Sequence, residues 1–188
     1  MKIYTKLGDG GETTLASGHK VSKADDRVTL YGMVDELNSL LGFGLSQLPE
    51  DLATVKVYVE EIQSLLFELG SELAGHLHPG KQATESILES SDLTKMEKQI
   101  DQLSSELPEL KNFILPGGHP SAGIFHLART QCRNLERSIV HFKNSGGGIN
   151  SLTIPFVNRL SDYLFTVSRY TNAKLGISEP IWKSRTKS

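Results

Sequence analysis

Asp25-Asp26-Arg27-Val28-Thr29-Leu30-Tyr31-Gly32-Met33-Val34-Asp35-Glu36-Leu37-Asn38-Ser39-Leu40-Leu41-Gly42-Phe43-Gly44-Leu45-Ser46-Gln47-Leu48-Pro49 carries the first strong periodic signal in the chain. Val28, Tyr31, Val34, Leu37, Leu41 and Leu45 recur at steps of three and four, which places them on one face of a helix beginning near Asp26. Pro49 ends it. The same pattern returns downstream. A second helix is expected from Asp51 to about Gly75, with Val55, Val59, Ile62, Leu66 and Leu69 in its stripe. Residues 76–90 read as a loop. Ser91 or Asp92 is expected to cap a third helix running to about Leu107. A fourth spans about Pro120 to Phe142, with proline in its first turn, where a missing N–H costs little. Gly146-Gly147-Gly148 breaks the chain before a fifth helix from about Thr153 to Leu175.

Upstream of the first helix, residues 1–25 are rich in Gly, Thr, Ser and charge and read as a loop with a short extended start at Lys2–Thr5. Five amphipathic helices and almost no strand signal give an all-α five-helix bundle. The 188 residues form one domain: a loop over 1–25, the bundle over 26–175 and an irregular tail over 176–188, with Trp182 tacked onto the bundle.

Composition narrows the function classes. Hydrophobic residues make up 38 % and charged residues 22 % of the chain, the balance of a globular protein. A formal net charge of −2 leaves no basic excess for a nucleic-acid backbone, so any polyanion site is a local concentration of Lys and Arg. The single cysteine, Cys132, permits no intrachain disulfide. The N-terminus lacks the apolar stretch of a signal peptide, and no run of eighteen apolar residues occurs. A cytoplasmic protein without membrane partners is expected.

Four groups of residues can carry chemistry. Thr5-Lys6-Leu7-Gly8-Asp9-Gly10-Gly11-Glu12-Thr13-Thr14, followed by Lys23, offers backbone N–H groups and hydroxyls to an anion. Its spacing matches neither nucleotide fingerprint, and a flexible arm whose glycines merely turn fits equally well. Asp35 and Glu36 are adjacent on the first helix and project about 100° apart, so one can meet a basic residue while the other faces solvent; two solvated acids is the plainer reading. His126, Arg129, Arg133 and Arg137 share a face of the fourth helix, with Glu136 in the same sector. Aligned guanidinium groups repel by a few tenths of a kcal/mol per pair and are best tolerated opposite an anion or carboxylates. A solvated basic face is the alternative. On the fifth helix, Asp162 and Arg169 suit a structural network, and Asn158 suits either that network or a hydrogen bond to a base or ribose.

Lesser features have plainer readings. His76 and His78 flank Leu77 in a polar loop without a third ligand and read as exposed. Cys132 reads as a small core residue. Phe113, ahead of Pro116-Gly117-Gly118, is either core or an aromatic at the edge of a site.

Together these segments resemble the PduO-type ATP:corrinoid adenosyltransferases. The resemblance rests on Tyr4-Thr5-Lys6-Leu7-Gly8-Asp9-Gly10-Gly11, Ser22-Lys23-Ala24-Asp25-Asp26-Arg27, Tyr31-Gly32-Met33-Val34-Asp35-Glu36-Leu37-Asn38 and Phe113-Ile114-Leu115-Pro116-Gly117-Gly118. It continues through His126-Leu127-Ala128-Arg129-Thr130-Gln131-Cys132-Arg133-Asn134-Leu135-Glu136-Arg137 and Asn158-Arg159-Leu160-Ser161-Asp162-Tyr163-Leu164-Phe165. The blocks follow the family's order and span nearly the whole chain.

The resemblance implies a ferritin-like five-helix bundle with an ordered glycine-rich N-terminal loop, assembled as a homotrimer with active sites between subunits. It implies that Thr5, Lys6, Leu7, Gly8, Gly10, Gly11, Thr13, Thr14 and Lys23 hold the ATP phosphates. Arg133, Glu136, Arg137 and Asn158 would complete the nucleotide site from a neighbouring subunit. Asp35 and Arg129 match an intersubunit ion pair, and Phe113 matches the residue that covers the lower face of the corrinoid. The implied reaction is attack of cob(I)alamin on C5′ of ATP with loss of triphosphate, Mg²⁺ accompanying the nucleotide. A reductase and an adenosylcobalamin-dependent mutase are the implied partners. Two positions depart from the family pattern: Leu7 stands where threonine is usual, and Asn134 where a second arginine is common. A non-catalytic carrier or sensor of ATP and adenosylcobalamin would use the same residues, and a phosphotransferase would use the same glycine loop.

Overall fold

The computed structural model describes residues 2–76 and 86–185. Five helices dominate: α1 (Asp26–Ser46), α2 (Ala53–Leu73), α3 (Ser90–Ser105), α4 (Pro120–Asn144) and α5 (Thr153–Lys174). A 3-10 turn at Glu50–Leu52 leads into α2. The expected all-α bundle is therefore present. Helix α1 packs on α2 and α4, α4 packs on α5, and α5 packs on α3. An ion pair from Lys95 Nζ to Glu61 Oε1, 2.6 Å, links α3 back to α2. Leu37, Leu41, Val59, Ile62, Leu66, Phe125, Leu160 and Leu164 are fully buried in the shared core.

Local chemistry sets the helix ends. The Asp25 carboxylate accepts from Arg27 N at 2.8 Å and starts α1. At α3 neither Ser91 nor Asp92 is the cap. Asp92 lies inside the first turn and accepts the Glu89 N–H at 2.8 Å, because a carboxylate three residues into a helix reaches back to the cap. Gly146, at φ +92°, follows α4, a backbone conformation that costs glycine little.

The N-terminal segment differs from the expected plain loop. Glu12–Thr14 and Lys20–Ser22 pair antiparallel, Thr13 opposite Val21, and Lys20 forms an ion pair with Glu12. We call these β1 and β2. The hairpin is held by tertiary contacts: Leu15 is buried at its tip and Ala16 N donates to Ala74 O at 3.1 Å. No regular element forms at Lys2–Thr5.

The C-terminal tail is also more ordered than its sequence suggests. Leu115 N donates to Pro180 O and Trp182 N donates to Phe113 O, both at 2.8 Å, around an antiparallel bridge between Ile114 and Ile181. Trp182 thus joins the Phe113 segment. Leu77 and His78 lie outside the described residues.

Candidate functional site

Helix α4 positions the arginines. Ala122, Phe125, Ala128, Cys132, Leu135 and Ile139 bury one face, so Arg129 and Arg133 are left on its flank toward α5. There they line a cleft of about 360 Å³ with Phe113, Pro116, Asp162 and Phe165. Phe113 is 78 % exposed, an apolar ring presented at the cleft rather than packed in the core.

The cleft carries cations with few partners. The Arg129 guanidinium lies 6.0 Å from the Phe165 ring centroid, its Nε has no hydrogen-bond partner, and no carboxylate among the described residues pairs with it. Burial, with the neighbouring Arg133 second, lowers its pKa. His126 is 3 % exposed, and burial followed by the Arg129 charge pushes its pKa down to about 4. It is therefore neutral at neutral pH. Its Nδ1 lies 3.4 Å from Ser168 Oγ, a hydroxyl that itself donates to Phe165 O at 2.8 Å. That arrangement favours the Nδ1–H tautomer and leaves an acceptor at Nε2, which has no partner.

Beside the cleft, Asn158 Nδ2 donates to Glu136 Oε1 at 2.8 Å, and Arg133 lies 4.0 Å from the other carboxylate oxygen. Glu136 thus offsets one arginine and orients Asn158 across α4 and α5. Arg137 turns away from this group. It donates to Asn134 Oδ1 at 3.3 Å and lines a separate pocket of about 310 Å³ with Asp26 at the start of α1.

The glycine segment forms a compact turn. Asp9 N donates to Lys6 O at 3.3 Å, Gly11 N to Gly8 O at 3.2 Å, and Lys23 N to Gly11 O at 2.9 Å. Lys6 adopts φ 61°, uncommon for a residue with a side chain. The Lys23 ammonium folds over Gly8, where an added Cβ would stand 2.9 Å from Nζ. Thr5, Lys6, Leu7, Gly10, Gly11 and Thr14 are exposed, and Gly8 and Thr13 are partly so. The turn and the start of the hairpin therefore expose a cation, backbone donors and hydroxyls, with Thr13 and Thr14 on opposite faces of β1. Among the described residues, no hydrogen bond or ion pair joins it to Arg133, Glu136, Arg137 or Asn158 of the same chain.

Asp35 and Arg129 are likewise apart within the chain. Asp35 lines a groove of about 330 Å³ between α1 and α2 with Tyr31 and Phe67, whereas Arg129 faces α5. Its neighbour Glu36 accepts from Gln131 Nε2 at 2.6 Å, so the adjacent acids diverge as helix geometry requires, but the partner is an amide and not a base. The Asp162–Arg169 network does not form. Asp162 pairs with Arg159 at 3.3 Å, and Arg169 pairs with Glu179 at 3.1 Å, because each has a closer partner than the one two turns away. Cys132 is buried, as its position on the apolar face implies, and burial raises its pKa.

The structure adds Phe165, Asp162 and Ser161 to the cleft, and gives His126 a place in its wall. The sequence places Asp162 in a structural network and assigns Phe165 no role of its own. The usable signal was their spacing from Asn158 on one face of α5.

The cobalamin adenosyltransferase family pattern matches residues 3–171. The chain belongs to the cobalamin adenosyltransferase family. A corrinoid adenosyltransferase from Bacillus subtilis (strain 168) is 39 % identical over 184 residues, covering 95 % of this chain and 91 % of that protein. One from Mus musculus is 37 % identical over 184 residues, covering 97 % of this chain and 77 % of that protein. Among solved structures, a phenylalanine-to-alanine variant of a PduO-type ATP:corrinoid adenosyltransferase from Lactobacillus reuteri, complexed with cobalamin and ATP, superposes with a TM-score of 0.87. It is 37 % identical and covers 97 % of this chain and 100 % of that one. Family membership thus extends over the glycine turn, the cleft and the bundle alike.

Proposed function

We infer that this chain is an ATP:corrinoid adenosyltransferase, transferring the 5′-deoxyadenosyl group of ATP to the cobalt of a reduced corrinoid. The observation that carries the reading is the cleft itself: an exposed apolar ring, Phe113, facing two arginines that lack enough carboxylate partners. A flat apolar macrocycle and a polyanion are the ligands that satisfy both halves.

The electron pair of cob(I)alamin forms the Co–C bond to C5′, the C5′–O bond breaks, and its electrons leave with triphosphate. Cobalt(I) is already a strong nucleophile, so the protein's part is positioning and charge stabilisation. Lys6, Leu7, Gly8, Gly10 and Gly11 present the backbone turn, Thr5, Thr13 and Thr14 add hydroxyls, and Lys23 adds a compact charge. Arg133 and Arg137 stabilise the charge growing on the leaving triphosphate, with Glu136 and Asn158 orienting the nucleoside. Mg²⁺ is carried by the triphosphate; among the described residues no group of three His, Cys, Asp or Glu side chains gathers to hold a metal. Phe113 covers the lower face of the corrinoid, excludes water and other donors, and so favours four-coordinate cobalt, which is easier to reduce.

The separation of Asp35 from Arg129, and of the glycine turn from the α4–α5 group, supports a site completed by a second copy. In that arrangement Asp35 of one subunit pairs with Arg129 of its neighbour, within a homotrimer. No described helix is long and apolar enough to cross a membrane, and the cytoplasm remains the proposed compartment. A reductase supplying cobalt(I) and a mutase consuming adenosylcobalamin are the proposed partners.

The test is phosphorus NMR of an anaerobic mixture of protein, ATP and chemically reduced cobalamin. Triphosphate is the expected product. ADP would point to phosphotransfer, and unchanged ATP beside bound corrinoid would point to a carrier.

A further inference from the structure

Phe113 sits on a segment, residues 106–119, that has no helix and little apolar burial of its own; Leu110 is 44 % and Leu115 47 % exposed. Such a segment takes its position from polar anchors rather than from packing. The anchors come from the last turns of α5 and from the C-terminal tail. Arg169 Nη2 donates to Pro108 O at 2.9 Å, and its Nε donates to Glu179 Oε2 at 3.1 Å. Asn172 accepts from His119 N at 2.9 Å and donates to Gly117 O at 3.0 Å. The tail that follows Glu179 bonds through Pro180 O and Trp182 N to Leu115 and Phe113, and the Trp182 ring lies edge-on to Phe113, with centroids 6.2 Å apart.

One guanidinium therefore grips both sides of the aromatic segment: its upstream end through Pro108, and the tail through Glu179. The pair is well sequestered, with the Arg169 and Glu179 side chains 10 % and 16 % exposed. An ion pair withdrawn from water is costly to break from one side, because the remaining charge is left without a partner. We propose that Arg169 is a positioning residue of the corrinoid site, and that its ion pair with Glu179 latches the C-terminal tail against the Phe113 segment and so fixes the Phe113 ring. The effect on the corrinoid rests on the reading that Phe113 covers that ligand. The latch itself is a statement about this chain alone.

Trp182 is the only tryptophan in the sequence, so its fluorescence reports the latch without any ligand. Glu179→Ala removes the acceptor from the tail, outside the bundle, and should leave helical circular dichroism unchanged. Acrylamide quenching of Trp182 should rise about twofold, as expected for local opening of a segment with few buried contacts. In the full enzyme kcat/KM for corrinoid should fall about 10- to 100-fold with KM for ATP unchanged, the scale of a reacting group misplaced by about 1 Å. Glu179→Gln, whose amide oxygen still accepts from Arg169 Nε, should recover part of both. Wild-type quenching in a folded Glu179→Ala protein would overturn the latch. An equal rise in KM for ATP and corrinoid would overturn the positioning role. A wild-type protein that does not adenosylate corrinoid would sink the functional reading instead, while the quenching result would still decide the latch.

Discussion

Replacing Phe113 with alanine should separate stability from chemistry. The ring is 78 % exposed, so about one-fifth of an aromatic surface of roughly 200 Å² is lost from the interior, and at about 25 cal/mol per Å² this costs about 1 kcal/mol. Loss of the edge-on contact with Trp182 adds about 1 kcal/mol. For a chain of this length the sum lowers Tm by about 4–8 °C. Phe125, fully buried four residues before Arg129, provides the contrast: its replacement by alanine should cost about 3–5 kcal/mol. Calorimetry would give both values. Optical or magnetic circular dichroism of cob(II)alamin with ATP would then report four-coordinate cobalt, which Phe113→Ala should lose while remaining folded. If that variant forms four-coordinate cobalt to the wild-type extent, or unfolds as readily as Phe125→Ala, the assignment of Phe113 to the cleft wall is wrong.

Two further changes probe the surroundings of the cleft. His126 has its pKa lowered from 6.5 to about 4, so the stability tied to its neutral form is complete above pH 6.5 and is lost as pH falls toward 4. Denaturant titrations across that window should show a shallower acid limb for His126→Gln than for wild type, and identical limbs would mean that His126 does not titrate there. Gly118 adopts φ +102°, and an added Cβ would lie 2.2 Å from Asn172 Oδ1, the acceptor of the His119 N–H. Gly118→Ala should therefore cost about 1–3 kcal/mol by thermal unfolding and weaken corrinoid binding; wild-type values in both would show that the segment relaxes freely.

Legibility in the sequence followed the range of the interactions. The α1 start, the stripe of α2 and the proline-led α4 are written in local periodicity and capping, and each appears within a few residues of its expected bounds. The β1–β2 hairpin was invisible because its strands have three residues each and lack an apolar alternation; they are held by Leu15 and the Ala16–Ala74 bond, whose partner is distant in sequence. The same reason hid the tail, where Ile181 bridges to Ile114 across the length of α4 and α5. At the site, helix spacing brought Arg129 and Arg133 into one cleft, but it also suggested Asp162 with Arg169. Spacing along one helix cannot register that Glu179 and Pro108, from other segments, lie closer to Arg169. Family resemblance implies what periodicity does not: the role proposed for Phe113, and the pairing proposed for Asp35 with Arg129 between subunits.

In adenosyl transfer the C5′ carbon of ATP moves to cobalt, whereas in phosphotransfer only a phosphate moves. ATP carrying ¹³C at C5′ can be mixed anaerobically with the protein and cob(I)alamin in a single turnover. The labelled carbon should appear bonded to cobalt, in a light-sensitive product formed one-for-one with triphosphate. Label that stays in ATP, ADP or free adenosine, with no cobalt–carbon bond formed while cobalt is kept reduced, would contradict adenosyl transfer.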